Sequence, residues 1–128
     1  MQCDIYLFCL WHRSKNFWKY IVKELSKEYQ ISIYFKSIFP DSLDLVKKFY
    51  NNEYLTCGYQ TKLEDIKGEF VFFTCKDKEY NNYTKLYSYK KRFRNLSDKY
   101  NDFGFLHSSI SVPEFIRQLT IIGELPWK

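Results

Sequence analysis

Apolar runs typical of buried strands alternate along this chain with segments of helical periodicity, and this alternation limits the fold more than any other feature. Residues 4–11 and 69–75 form nearly continuous apolar runs, and residues 31–39 are β-branched and aromatic. Each of these segments predicts a strand. A fourth, shorter strand is predicted over residues 103–106.

Helices are predicted between these strands, where apolar side chains recur at helical spacing. The predicted helices cover residues 14–30, about 41–50, 83–100 and a last segment from Ser111 onward. In that last segment Ser111 lies three residues before Glu114, which is a capping box, and Gly123 suits the end of the helix. Residues 51–68 and 76–83 are polar or irregular and predict loops.

The resulting order, βαβαβ(α)βα, has no repeat, linker or low-complexity segment. Strands that alternate with helices indicate an α/β or α+β sandwich. We expect one α+β domain over residues 1–128, with a ferredoxin-like sheet of the split βαβ type. A small doubly wound α/β sheet is the alternative.

The composition bears on the compartment and on the partners. Four widely spaced cysteines, with no C-x-x-C pair, do not predict a metal site: Cys3, Cys9, Cys57 and Cys75. The sequence has neither a secretory signal nor an apolar stretch of membrane-spanning length, so we expect a cytoplasmic protein with no membrane partner. The net charge of +5 is mild and consistent with phosphate-bearing partners.

The segment FGFLHSSISVPEF, residues 103–115, places a histidine where a strand meets a helix. A helix N-terminus favours anions, and a neutral imidazole nitrogen can attack phosphorus. His107 is therefore a candidate nucleophile, with the hydroxyls of Ser109 and Ser111 close to it in sequence. We expect its ring to face solvent at the mouth of a cleft. The alternative is a structural histidine that hydrogen-bonds locally.

The same segment, GFLHSSIS, resembles the active-site signature of nucleoside diphosphate kinases, N-I-I-H-G-S-D-S followed by a helix. In that family a nucleoside triphosphate phosphorylates the histidine, which passes the phosphoryl group on. His107 matches the histidine, and Ser109 and Ser111 match the two serines. The resemblance extends weakly upstream, where Tyr50 matches a family tyrosine and GEFVFFTC resembles a family strand.

Other positions differ from the family pattern. The family's first strand is followed by a phosphate-binding lysine, whereas this chain has His12 and Arg13 there. The glutamate that orients the family's histidine corresponds by count to Gln118. The family supplies arginines from the segment before the histidine strand, which favours Arg92 and Arg94 as phosphate ligands. Solvated charges at a helix start and on a helix face are the alternative interpretation of these cations.

The resemblance implies a nucleotide or a phosphorylated small molecule as partner, with Mg²⁺ only alongside bound nucleotide. It also allows a homo-oligomer in which neighbouring subunits cover one face of the sheet. Under this hypothesis His107, Arg13 and at least one of Arg92 and Arg94 line one cleft.

An RNA-binding or non-catalytic interaction module on a ferredoxin-like sheet is the second hypothesis. KGEFVFF, residues 67–73, faintly resembles one of the two aromatic motifs of RNA-recognition domains, and IYLFCL resembles the other. Such motifs stack bases on an open sheet, so Phe70 and Phe72, or Phe73 from the other face, should then be exposed. An ordinary buried aromatic strand is the simpler interpretation.

Overall fold

The computed structural model describes residues 5–38, 68–78, 83–97, 106–109 and 112–123. These residues form four strands and three helices, and a short 3₁₀ segment, His12–Phe17, precedes the first helix. In chain order they are β1 (Ile5–Leu10), α1 (Trp18–Leu25), β2 (Tyr29–Ile38), β3 (Glu69–Asp77), α2 (Tyr83–Arg94), β4 (Leu106–Ser108) and α3 (Val112–Gly123).

The four strands form one sheet in the order β2-β3-β1-β4, and every neighbouring pair is antiparallel. The chain leaves β1, crosses through α1 and returns as β2, and β3 lies between the two strands. This arrangement confirms the predicted ferredoxin-like α+β fold of the split βαβ type. A doubly wound sheet would have parallel neighbours, so that alternative does not apply.

Alternation of side chains along β1 assigns the two faces of the sheet. Tyr6, Phe8 and Leu10 belong to the main core cluster, which also contains the inner side chains of α1 and α2. Leu7 and Cys9 point to the opposite face, where they are also fully buried. Helix α3 contacts β1.

The first helix is shorter than the sequence predicts. Trp18, Ile21 and Leu25 form its buried stripe, but the helix ends at Leu25 and a turn leads directly into β2. Tyr29, which the predicted helix over residues 14–30 includes, lies in β2 and packs edge-to-face against Tyr6, with ring centroids 6.4 Å apart. Sheet pairing and this aromatic contact outweigh the weak helical preference of the segment. Within the described ranges no helix is both long enough and apolar enough to cross a membrane.

Two strand boundaries also differ from the prediction. Strand β4 runs from Leu106 to Ser108, so His107 lies within a strand rather than after one. Strand β3 continues to Asp77, two residues into the predicted loop. The predicted short helix over about 41–50 lies outside the described residues.

Strand β2 contains an irregularity near its middle. The register to β3 shifts between Ser32 and Phe35, so that Ile33 and Tyr34 together oppose Phe73. Two residues facing one define a β-bulge. Ile33 has a φ of 50°, which a β-branched residue rarely adopts, and the Tyr34 ring stacks on Phe73 at 6.0 Å.

The aromatic side chains of β3 are buried on both faces. Phe70, Phe72 and Phe73 have essentially no exposed surface. An RNA-recognition sheet needs such rings in contact with solvent so that bases can stack on them. The RNA-binding alternative is therefore not supported, and the ordinary buried strand is the correct interpretation of this motif.

Candidate functional site

His107 lies in the middle of β4, directly opposite Cys9 of β1. Its neighbour Leu106 belongs to the core beneath α1 and α2. Alternation therefore directs the imidazole to the opposite face of the sheet. The His107 side chain is only 13 % exposed, so the expectation that it faces solvent is wrong. Its position in a paired strand, rather than in the following loop, accounts for this burial.

The imidazole is hydrogen-bonded to the last helix. Nε2 of His107 lies 2.8 Å from Oε1 of Gln118, which is itself buried. Because an amide oxygen only accepts, Nε2 is the nitrogen that carries the hydrogen in this contact. Gln118 is the residue that the family resemblance equates by count with the orienting glutamate. The structure thus brings the two residues together across ten intervening positions of the chain.

A carboxylate lies near the same nitrogen. Oε1 of Glu114, one helical turn before Gln118, is 3.6 Å from Nε2 of His107. On the other side, the ring centroid of Trp11 is 6.5 Å from that of the imidazole. From the sequence, Glu114 belongs only to the capping box and Trp11 only to the end of a predicted strand. One feature of the sequence could have indicated that Glu114 lies near His107: Glu114 and Gln118 are four residues apart and so share one helix face.

Ser109 connects the end of β4 to β1. Its backbone N–H donates to the carbonyl of Leu7, and its Oγ accepts from the backbone N–H of Leu7, both at 2.9 Å. The hydroxyl therefore completes the pairing of two strands, at a fully buried position. Ser108, on the opposite face from His107, is also buried, and its Oγ has no hydrogen-bond partner in the structure as described. Ser111 lies outside the described residues.

The 3₁₀ segment after β1 begins with His12 and Arg13. Both side chains are exposed, and they directly follow Trp11, which contacts His107. Nδ1 of His12 donates to the backbone carbonyl of Glu69 at 3.2 Å. Gly68 packs against this imidazole: its φ is +94°, and a Cβ would lie 2.8 Å from the His12 ring. Only glycine allows both the conformation and the approach.

Two lysines contact the carboxylate of Glu69. Nζ of Lys15 lies 3.1 Å from Glu69, and Nζ of Lys36 lies 3.4 Å from it. The hydrogen bond and charge of Lys15, followed by those of Lys36, lower the pKa of Glu69. Cationic side chains thus gather where β1 and β2 end and β3 begins.

Arg92 is placed away from His107. It donates to Glu24 of α1, and its guanidinium lies over the rings of Tyr89 and Phe93, at 5.1 and 5.5 Å. These two rings belong to the core on the face opposite His107. Arg94, the last residue of α2, is partly buried. Arg92 therefore lies on the sheet face opposite His107, whereas His12 and Arg13 directly follow Trp11 at the end of β1. Tyr50 lies outside the described residues.

Solved structures share this fold although their sequences differ widely. A nucleoside diphosphate kinase from Aquifex aeolicus is 13 % identical, with a TM-score of 0.71 over 93 % of this chain and 94 % of that one. The enzyme from Encephalitozoon cuniculi is 10 % identical, with a TM-score of 0.65 over 93 % and 88 %. A nucleoside diphosphate kinase family protein from Babesia bovis is 12 % identical, with a TM-score of 0.65 over 98 % and 95 %.

Comparison of the amino-acid sequence, by contrast, finds no match. No family model and no curated protein sequence matches the chain. At 10–13 % identity the structural likeness concerns the backbone and its topology. This chain therefore has the fold found in nucleoside diphosphate kinases, along nearly its whole length.

Proposed function

We propose that this protein is a phosphotransferase in which His107 accepts a phosphoryl group from a nucleoside triphosphate. One observation carries the proposal: Gln118 hydrogen-bonds Nε2 of His107 at 2.8 Å, from the position that the family resemblance assigns to an orienting residue. A histidine held by a side chain of a neighbouring helix is the arrangement expected for an oriented nucleophile. The fold shared with nucleoside diphosphate kinases supports the same conclusion.

The hydrogen bond determines which ring nitrogen reacts. With the hydrogen on Nε2, the lone pair of the neutral ring is on Nδ1. Nδ1 attacks the γ-phosphorus, a nitrogen–phosphorus bond forms, and the bond from that phosphorus to the β-phosphate oxygen breaks. A nucleoside diphosphate leaves with that electron pair, and Nε2 keeps its proton. Transfer to a second diphosphate reverses these steps.

We assign phosphate binding to the 3₁₀ segment after β1. His12 and Arg13 are exposed and directly follow Trp11, whose ring centroid lies 6.5 Å from that of His107, and a guanidinium can hold two phosphate oxygens at once. We propose that Mg²⁺ binds only together with the triphosphate, whose oxygens are the ligands that this ion prefers. Arg94 and Tyr50 remain predicted nucleotide contacts, and the pairing of Arg92 with Glu24 favours a structural role for that arginine.

The test is transfer of labelled γ-phosphate to the protein in the presence of Mg²⁺. We expect an acid-labile, alkali-stable label on the wild type and none on His107→Gln. The chain has only two histidines, so His12→Gln is the matched variant: it should bind nucleotide more weakly but still become labelled at saturation. Calorimetry with and without Mg²⁺ measures that binding. An unlabelled wild type, or a label that survives in His107→Gln, would contradict the proposal.

A further inference from the structure

We infer that Glu114 is a positioning residue for His107 and supplies the negative charge that a neutral amide at Gln118 cannot. This inference rests on the proposed function. Oε1 of Glu114 lies 3.6 Å from Nε2 of His107. This distance is too long for a hydrogen bond but short enough for an ion pair, so Glu114 acts on the ring through its charge.

Glu114 and Gln118 act on the same nitrogen, Nε2 of His107, in different ways. Glu114 and Gln118 are four residues apart on α3 and therefore lie on the same helix face. Gln118, at 2.8 Å, fixes which nitrogen carries the hydrogen and how the ring is turned. Glu114 places a carboxylate near that nitrogen without displacing the amide of Gln118.

Burial makes this charge effective. The side chains of His107 and Glu114 are 13 % and 23 % exposed, so water screens the pair less than it screens a surface ion pair. The cross-strand neighbour Cys9 also faces the ring. Burial raises the pKa of the Cys9 thiol, which keeps it neutral. Glu114 therefore supplies a negative charge beside the ring.

The proposed reaction needs this charge at one particular stage. When Nδ1 bonds to phosphorus and Nε2 keeps its proton, the imidazole becomes positively charged. An amide hydrogen bond orients that ring but does not neutralise it, whereas a carboxylate stabilises the charge as it develops. When the phosphoryl group moves on to the acceptor, the ring becomes neutral again. Glu114 stays ionised throughout, and no proton is transferred to it.

The first test compares single-turnover rates of His107 phosphorylation. We expect Glu114→Gln to slow the reaction about 10–100-fold, the range found for carboxylates that support metal-binding histidines. Glu24→Gln removes the same charge on the opposite face and should leave the rate unchanged. In the double variant Glu114→Gln/Gln118→Glu, the carboxylate returns at the hydrogen-bonded position, and we expect most of the rate to recover. A wild-type rate in Glu114→Gln would overturn the inference and leave the proposed function intact.

The second test needs no nucleotide. Ring ¹⁵N chemical shifts of His107, followed against pH, report which nitrogen is protonated and when the second proton binds. In Glu114→Gln we expect the second proton to bind at lower pH than in the wild type, because the nearby carboxylate favours the charged ring. An unchanged titration would overturn the inference. If the wild type never becomes labelled, the proposed function fails, and this titration alone decides whether the ion pair exists.

Discussion

On the sheet face that packs against α1 and α2, positive side chains are paired with carboxylates. Lys85 lies 2.8 Å from the buried Asp77, and Arg92 binds Glu24. On the face that α3 contacts, His107 is instead held by an amide, with a carboxylate just beyond hydrogen-bond distance. Both regions resemble phosphate sites in sequence. This difference shows that the sheet face on which a side chain lies matters more for its role than the local density of positive charge does.

The largest expected effect concerns the core of the α1/α2 face. Phe93→Ala should lower the free energy of unfolding by about 3–5 kcal/mol, because it leaves a cavity beneath α2 where a buried ring was. Urea denaturation measures this loss. Tyr87→Ala removes an exposed ring from the same helix and should change stability by no more than about 0.5 kcal/mol. Equal losses in the two variants would contradict the assignment of this face to the core.

The next effect concerns Ser109, whose hydroxyl stands close to the candidate nucleophile in sequence. Ser109→Ala should cost about 1–3 kcal/mol, because the buried N–H of Leu7 would lose its acceptor. Ser26→Ala removes an exposed hydroxyl bonded to the Lys23 carbonyl and is expected to cost much less. If Ser109→Ala kept full stability but lost phosphorylation, the hydroxyl would belong to the chemistry rather than to the strand pairing.

A smaller effect should appear only at alkaline pH. Burial, and next the hydrogen bond to the Glu28 carboxylate, raise the pKa of Tyr89 to about 12, from about 10 in an unfolded chain. Between these values the folded state keeps a proton that the unfolded state has released. Stability therefore decreases as the pH rises from about 10 to about 12. Tyr89→Phe should make this decrease less steep in urea titrations.

The smallest effect is expected for the ion pair between α1 and α2. Arg92→Ala should cost about 1 kcal/mol or less, because the guanidinium is nearly half exposed and screened by water. A double-mutant cycle with Glu24→Gln should give a coupling of about 0.2–1 kcal/mol. If Arg92→Ala instead weakened nucleotide binding more than tenfold, this arginine would be a phosphate ligand, and the contrast between the two faces would not hold.

Along the described residues, the order of strands and helices could be predicted from the sequence, and the family resemblance gave Gln118 by count as the counterpart of the orienting residue. Apolar runs in the sequence indicate the strands. Gln118 is found by counting residues from His107 along the segment that resembles the family signature. The partner of Ser109 could not be predicted, because Leu7 lies 102 residues earlier and only the sheet register brings the two together. The capping box already explains Glu114 locally, so the sequence gives no sign that this carboxylate also lies near His107.

The bulge in β2 has a consequence for how the protein behaves at high concentration. Among the described strands β2 is an outer one, and the free edge of such a strand is a template for strand addition and aggregation. At Ile33 and Tyr34 the ladder breaks into two runs of four residue pairs, 29–32 and 35–38. An incoming strand would lose its register at that break. Bulges of this kind are one way in which natural sheets limit strand addition at an outer strand.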